Sequence, residues 1–236
     1  MSFILGKNSR VYQNQYDITS YCKGVIFDAS ADTYNSTTFG NDANTYLPGL
    51  KESTLSIDAL FEATPALTEE MEAAVAGTLG STNNLVTIVL DTEAQSNRTF
   101  TFYGVDSKYT IESPVDDLIS LSMETIGNTG FEPGIVIKTL GNKTVTGNEI
   151  SIDNSAGTTA GYSASLHVIS ASGSNVIKVQ HSTNNSAWSD LVTFTTVTGP
   201  TFEYKTLLGS TTVNRYIRCS YTIGTACNFF VSFSRK

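Results

Sequence analysis

The stretch from residue 27 to residue 63 constrains the fold most, because it joins a segment of alternating apolar residues to a segment with few apolar side chains. Apolar residues recur at every second position in its last part, at Leu55, Ile57, Ala59 and Phe61. Period-two alternation indicates a strand with one buried face. Residues 28–46, in contrast, are mostly Asp, Asn, Ser, Thr, Ala and Tyr. The stretch therefore predicts a long β-hairpin over about residues 25–61 that projects from its own domain.

Two interpretations of this hairpin stay open. Its turn falls at residues 39–42, and Pro48-Gly49 interrupts the returning arm. It is either a long surface hairpin or one that pairs with further copies of the chain, because exposed strand edges template additional pairing.

Composition favours a β-rich assembly or extracellular protein over a helical cytosolic enzyme. Hydrophobic residues make up 40% of the 236 residues, which is enough for one large or two modest domains. Charged residues make up only 15%, below the usual quarter.

The charge is distributed unevenly along the chain. Residues 1–141 hold 18 Asp and Glu against 7 Lys and Arg, a net charge of −11, whereas residues 142–236 have a net charge of +3. This asymmetry and a Gly-rich junction predict two domains, 1–140 and 141–236. An acidic domain argues against nucleic-acid binding, which needs a basic footprint, but it suits a surface that must not adhere to DNA.

The predicted fold class is mainly β. Thr64-Pro65 and the apolar spacing that follows predict one α-helix over about residues 66–77. With about seven strands, this helix makes the first domain a β-sandwich or half-barrel with one flanking helix and a long hairpin loop. Seven short strands at regular spacing predict an all-β sandwich for the second domain.

Motifs of catalysis are missing from the sequence. There is no nucleophile elbow, zinc-protease motif, Cys-x-x-Cys pair or phosphate loop. His167 and His181 lack acidic or Cys partners at ligand spacing, so we expect both to be packed or hydrogen-bonded. We expect no enzymatic activity, no cofactor and no metal site. The three cysteines form no disulfide framework, and we expect Cys219 and Cys227 to be reduced.

Trp188 is the single tryptophan of the chain and follows a polar turn. Packing at the end or rim of the core is the first interpretation. A platform on which a sugar stacks is the alternative, since an indole combines an apolar face with a polar edge.

Spaced matches in the first half resemble the tail tube (major tail) proteins of long-tailed, non-contractile bacteriophages. They are Asp17-Ile18-Thr19-Ser20-Tyr21, Ser30-Ala31-Asp32-Thr33, Thr38-Phe39-Gly40 and residues 46–52, and the resemblance covers roughly residues 1–130. Residues 161–236 are similar to the small Ig-like or galactose-binding-like β-sandwich domains appended to phage virion proteins. The matching segments are Gly161-Tyr162-Ser163-Ala164, Gln180-His181-Ser182, Trp188-Ser189-Asp190 and Arg215-Tyr216-Ile217-Arg218.

The resemblance implies an architecture and a set of partners. Six copies would pair sheet to sheet into a ring whose inner wall is a β-barrel, and rings would stack through the long loop and the termini into a conduit for genome delivery. The second domain would decorate the exterior. The implied partners are further copies of the chain, a tape-measure protein and tail terminator and tip proteins, and DNA would pass through the lumen without specific binding.

Two sets of residues follow from the resemblance, the charge and the hairpin position. The candidates for the lumen or the ring contact are Asp28, Asp32, Asp42, Glu52 and Asp58. The candidates for the inter-ring loop are Thr38, Phe39, Gly40, Asn41, Tyr46, Leu47 and Pro48.

Two alternatives remain. The chain is a head decoration or other virion structural protein of the same β build, or it is a carbohydrate-binding adhesin module in which Trp188 contacts a host-surface glycan. The expected location is the virion after synthesis in a host cytoplasm, because no signal-peptide or transmembrane pattern is evident, and no membrane partner is expected.

Overall fold

The computed structural model describes residues 6–61, 74, 76–128 and 130–236, and it is mainly β. The described strands are β1 Arg10–Gln13, β2 Tyr16–Asp17, β3 Cys22–Asn35, β4 Tyr46–Leu60, β5 Asn84–Val89, β6 Arg98–Glu112, β7 Ser120–Gly127, β8 Glu132–Lys143, β9 Gly147–Asn148, β10 Ile152–Asp153, β11 Gly161–Ser172, β12 Val176–Ser182, β13 Ser189–Thr193, β14 Thr201–Leu208, β15 Tyr216–Thr222 and β16 Ala226–Arg235. Short 3-10 turns cover Gly6–Asn8, Thr19–Tyr21 and Ala76–Thr78. Within the described residues, no helix is long and apolar enough to cross a membrane.

The predicted helix over about residues 66–77 lies mostly outside the described residues. Of that range, Ala74 is helical and buried, and Ala76 and Gly77 belong to a 3-10 turn.

The described strands form two antiparallel sheets. The larger has 11 strands in the order β14-β11-β16-β8-β6-β5-β1-β2, with β7, β4 and β3 extending from β6. The smaller has five, in the order β10-β15-β12-β13 with β9 beside β15. Strand β8 crosses the predicted boundary at residue 140 and pairs with β6 on one side and β16 on the other. Backbone hydrogen bonds therefore join the two halves of the chain into one sheet.

Two large apolar cores lie against these sheets, and a third, small cluster consists of Tyr12, Val89, Val136 and Phe230. The first is formed largely by β4, β5 and β7, with Leu55, Ile57, Val86, Leu121 and Met123 at its centre. The second lies between β11 and β16 of the larger sheet and the inner face of the five-stranded sheet, as expected of a β-sandwich.

A buried polar seam connects the halves. His167 is fully buried, with Nδ1 lying 2.6 Å from the Asn14 carbonyl oxygen and Nε2 lying 2.8 Å from Thr87 Oγ1. Burial lowers the pKa of His167 to about 4, so the ring is neutral at physiological pH. The expectation that His167 is packed and hydrogen-bonded is thus confirmed. Cys219 and Cys227 are buried free thiols.

Candidate functional site: the hairpin and its four-stranded sheet

The predicted hairpin is present. Strands β3 and β4 pair from Cys22 opposite Ala59 to Asn35 opposite Tyr46. Strand β7 supports only the part of β4 from Thr54 to Leu60. The remainder of the hairpin extends from the sheet as a two-stranded ribbon about 25 Å long at roughly 3.3 Å per residue, with the tip beyond it.

Burial explains why the ribbon projects. In β4 the side chains of Leu55, Ile57 and Ala59 are buried, which confirms the period-two prediction for these residues. Phe61, just beyond the strand, is partly buried and packs against the same core, and Ser53 extends the buried row. Between residues 28 and 52 no residue is buried. The ribbon therefore makes no core contact within the described part of its own chain.

The tip is ordered by its own hydrogen bonds. Asn41 Oδ1 accepts from the Thr38 amide at 3.0 Å, and the Asn41 amide donates to the Thr38 carbonyl at 3.0 Å. Thr37 Oγ1 accepts from the Thr45 amide at 2.9 Å. Phe39 is fully exposed on this small scaffold. The predicted inter-ring candidates lie here: Thr38, Phe39, Gly40 and Asn41 in the turn, and Tyr46, Leu47 and Pro48 in the first residues of β4.

Gly49 allows the two arms to approach closely at a β-bulge. A Cβ at residue 49 would lie 2.6 Å from Tyr34 Cε2 and 2.7 Å from the Asp32 Cβ. Pairing shifts register at this level, between Ala31 and Thr33. A side chain at residue 49 would therefore push the arms apart.

One face of the four-stranded sheet β3-β4-β7-β6 is open to solvent. Residues directly opposite each other across antiparallel strands lie on the same face. The pairing thus aligns four rows on this open face: Gly24, Ile26, Asp28 and Ser30 of β3; Glu52, Thr54, Ser56 and Asp58 of β4; Ser120, Ser122, Glu124 and Ile126 of β7; and Lys108, Thr110 and Glu112 of β6. The opposite face carries Leu55, Ile57, Leu121 and Met123 into the core.

The open face is acidic. Its carboxylates are Asp28, Glu52, Asp58, Glu112 and Glu124. Lys108 is aligned with them, and Lys23 of β3 lies beside Asp58 and Glu112. The register thus brings together Asp28, Glu52 and Asp58 of the predicted lumen set.

The other two predicted acids lie further out on the hairpin. Alternation along β3 places Asp32 on the side of Asp28, whereas Asp42 belongs to the tip. Glu112 and Glu124 were not among the predicted lumen residues. The alternation of Ser120, Ser122 and Glu124 in β7 was the signal that could have found Glu124.

Both outer strands of this sheet have unpaired edges. Strand β3 pairs only with β4 among the described residues. On β6, residues 107–112 pair with β7 on one side, and no described strand pairs with them on the other. Such edges present rows of free N–H and C=O groups that can accept a strand from another chain.

A buried carboxylate holds the sheet to its surroundings. Asp106 of β6 is fully buried and accepts hydrogen bonds from Gln13 Nε2 at 2.9 Å, Thr78 Oγ1 at 2.7 Å and Thr125 Oγ1 at 2.7 Å. Burial raises the pKa of Asp106, although the three donors oppose this shift.

Trp188 lies away from the hairpin, at the rim of the five-stranded sheet, and is half-buried. The Arg218 guanidinium Cζ lies over its ring, 4.1 Å from the centroid. Among the residues that the structure describes, no group of three or more His, Cys, Asp or Glu side chains could hold a metal ion.

No family model and no curated protein match the sequence. Among solved structures, the chain is similar to one in the virion of a native gene transfer agent particle, with a TM-score of 0.43, 9% identity and coverage of 55% of this chain and 97% of that chain. It is also similar to the Dit protein of phage SPP1, a hub adsorption apparatus protein, with a TM-score of 0.39, 13% identity and coverage of 96% and 99%. A chain of the phage p2 baseplate in its activated conformation gives a TM-score of 0.36, 10% identity and coverage of 97% and 98%.

Proposed function

We propose that this chain is a structural protein of a bacteriophage tail that assembles into hexameric rings, and that its role is mechanical rather than catalytic. The observation that supports this best is the four-stranded sheet with an acidic open face and an unpaired edge on each side. A second copy can add its β3 edge to residues 107–112 of β6, so that the sheets continue from one copy to the next.

Repetition of this pairing would close a barrel. Six copies of a four-stranded sheet would give a barrel of about 24 strands, and barrels of roughly 16–18 strands already enclose an aqueous channel. The apolar face of each sheet already packs on its own core, so the acidic face would line the lumen. Negative charge there repels the DNA backbone, which would let a genome pass without adhering.

We further propose that the rings stack into a tube through contacts made by the hairpin. The ribbon projects beyond the sheet and ends in the exposed Phe39, where an adjacent ring could bury it. The tape-measure, terminator and tip proteins would be the further partners, and the β-sandwich of the second half would lie outside the ring.

Negative-stain electron microscopy and light scattering of the full chain at rising concentration test both levels of the proposal. We expect hexameric rings that stack into hollow tubes. Phe39→Ser should leave single rings, whereas Leu208→Ser, which changes a side chain 70% exposed in the second half, should still give tubes. Single rings from the unaltered chain would contradict stacking alone. A monomer at every concentration would contradict the ring itself.

A further inference from the structure

Arg218 lies on the outer face of the five-stranded sheet, and its positive charge is not paired with a carboxylate of this half of the chain. Each of the four acidic side chains in residues 142–236 forms an ion pair with a different basic residue. The pairs are Glu149 with Lys143 at 2.9 Å, Asp153 with Arg215 at 2.6 Å, Asp190 with Lys178 at 2.6 Å, and Glu203 with Lys205 at 3.1 Å. Arg218 therefore has no carboxylate partner within this described half of the chain.

Neighbouring side chains hold the Arg218 guanidinium in a fixed orientation. Its Nε and Nη2 donate to Gln180 Oε1 at 3.0 and 2.8 Å. Gln180 Nε2 in turn donates to Asp190 Oδ1 at 2.8 Å. The guanidinium Cζ lies over the Trp188 ring, 4.1 Å from its centroid. Because one edge is hydrogen-bonded and the group lies against the Trp188 ring, little side-chain entropy remains to be lost on binding a ligand.

The other edge of the guanidinium, formed by Nη1 and Nη2, remains for a ligand. A guanidinium edge binds a carboxylate through two parallel N–H···O bonds, a strong and directional interaction. The half-buried Trp188 ring beside it offers apolar surface to the C–H face of a pyranose. An acidic sugar presents both groups at once.

We propose that Trp188 and Arg218 form a binding site for an acidic saccharide, in which Arg218 binds the carboxylate and Trp188 packs against the sugar ring. This inference does not depend on ring formation. The site lies on the outer face of the five-stranded sheet, whereas the proposed ring contacts lie on β3 and β6.

Trp188 is the single tryptophan, so its fluorescence reports on this site directly. The full chain is titrated at low salt with a trimer of galacturonic acid and, in parallel, with a neutral trimer of galactose. We expect a saturable change with the acidic trimer and none with the neutral one at the same concentrations.

Two variants of equal charge sharpen the test. Gln180→Glu supplies Arg218 with an internal carboxylate, and we expect it to weaken binding of the acidic trimer at least tenfold. Arg215→Gln lowers the charge of the same face by the same amount but leaves Arg218 unchanged, so we expect binding to persist.

Four outcomes would overturn the proposal. They are no saturable signal, equal binding of the neutral trimer, equal weakening by both variants, and equal binding of a short DNA duplex with the same sensitivity to Gln180→Glu. The last would assign the site to phosphate polymers.

Discussion

Asp106 illustrates how one buried carboxylate makes stability depend on pH. Burial raises the pKa of Asp106, so the folded chain binds the carboxyl proton more tightly than the unfolded chain does. In the unfolded chain, Asp titrates at about 3.9. The stability that this group contributes is therefore greatest below that pH and falls as pH rises through the folded pKa.

We predict that Asp106→Asn removes this pH dependence. The unfolding free energy of the unaltered chain minus that of the variant should be largest at acidic pH, below the pKa of the unfolded Asp, and should decline as the pH rises, as urea denaturation would measure. Asp106→Ala should cost about 1–3 kcal/mol for each donor left buried without an acceptor. Asp116→Asn, in an exposed loop, is the control and should show neither effect. A difference that grows with pH would contradict the assignment.

The two arms of the hairpin approach each other closely at Gly49. A substitution there tests whether the order of the hairpin and ring assembly depend on this close approach. Gly49→Ala should separate β3 from β4 near Asp32 and Tyr34, because its Cβ would lie under 3 Å from both side chains. Since the ribbon makes no core contact, we predict a change in unfolding free energy of less than about 0.5 kcal/mol. Hydrogen exchange of the hairpin amides should accelerate, and the concentration needed for ring assembly should rise.

Gly199→Ala is the matched control, because a Cβ there would meet nothing within 4 Å and the residue lies in a bend outside the hairpin. It should leave both hydrogen exchange and assembly unchanged. Equal behaviour of the two alanine variants would show that the bulge does not shape the hairpin.

The sequence predicts most of this hairpin but not the face that it presents. Alternation identifies the buried side of β4, because Leu55, Ile57 and Ala59 must leave water. Which acids align across β3, β4, β7 and β6 depends on register, and a one-residue slip moves every side chain to the other face. The bulges at Cys22/Gly24 and Ala31/Thr33 change the pairing in a way that no local pattern reveals.

The pairing of strands that lie far apart in the chain could not be predicted from the sequence either. The change in charge near residue 140 marks a compositional boundary, yet β8 crosses it, and Cys227 near the end of the chain pairs with Lys143. Contacts across more than 80 residues leave no periodic signal in either segment. Similarly, Trp188 alone gave two interpretations, and only the folded sheet shows that Arg218 and Gln180 lie beside it.

The assembled ring would join the acidic open face of each copy into one surface. Asp28, Glu52, Asp58, Glu112 and Glu124 are aligned there with Lys108, and Lys23 lies beside Asp58 and Glu112, which gives each copy a net charge of −3 on the four-stranded sheet. In a closed barrel these charges would surround the aqueous channel, where together they repel a polyanion more strongly than isolated surface charges do.

We predict that neutralising this face converts a channel that repels DNA into one that retains it. The variant combines Asp28→Asn, Glu52→Gln, Asp58→Asn, Glu112→Gln and Glu124→Gln, and its retention of linear duplex DNA on assembled rings or tubes is measured over a salt series. We expect retention at low salt that diminishes as salt screens the remaining interactions. The control neutralises Asp91, Asp116 and Asp117, which lie in turns and loops outside the sheet and the hairpin. If both variants assemble and retain equal amounts of DNA, the open face does not line the lumen.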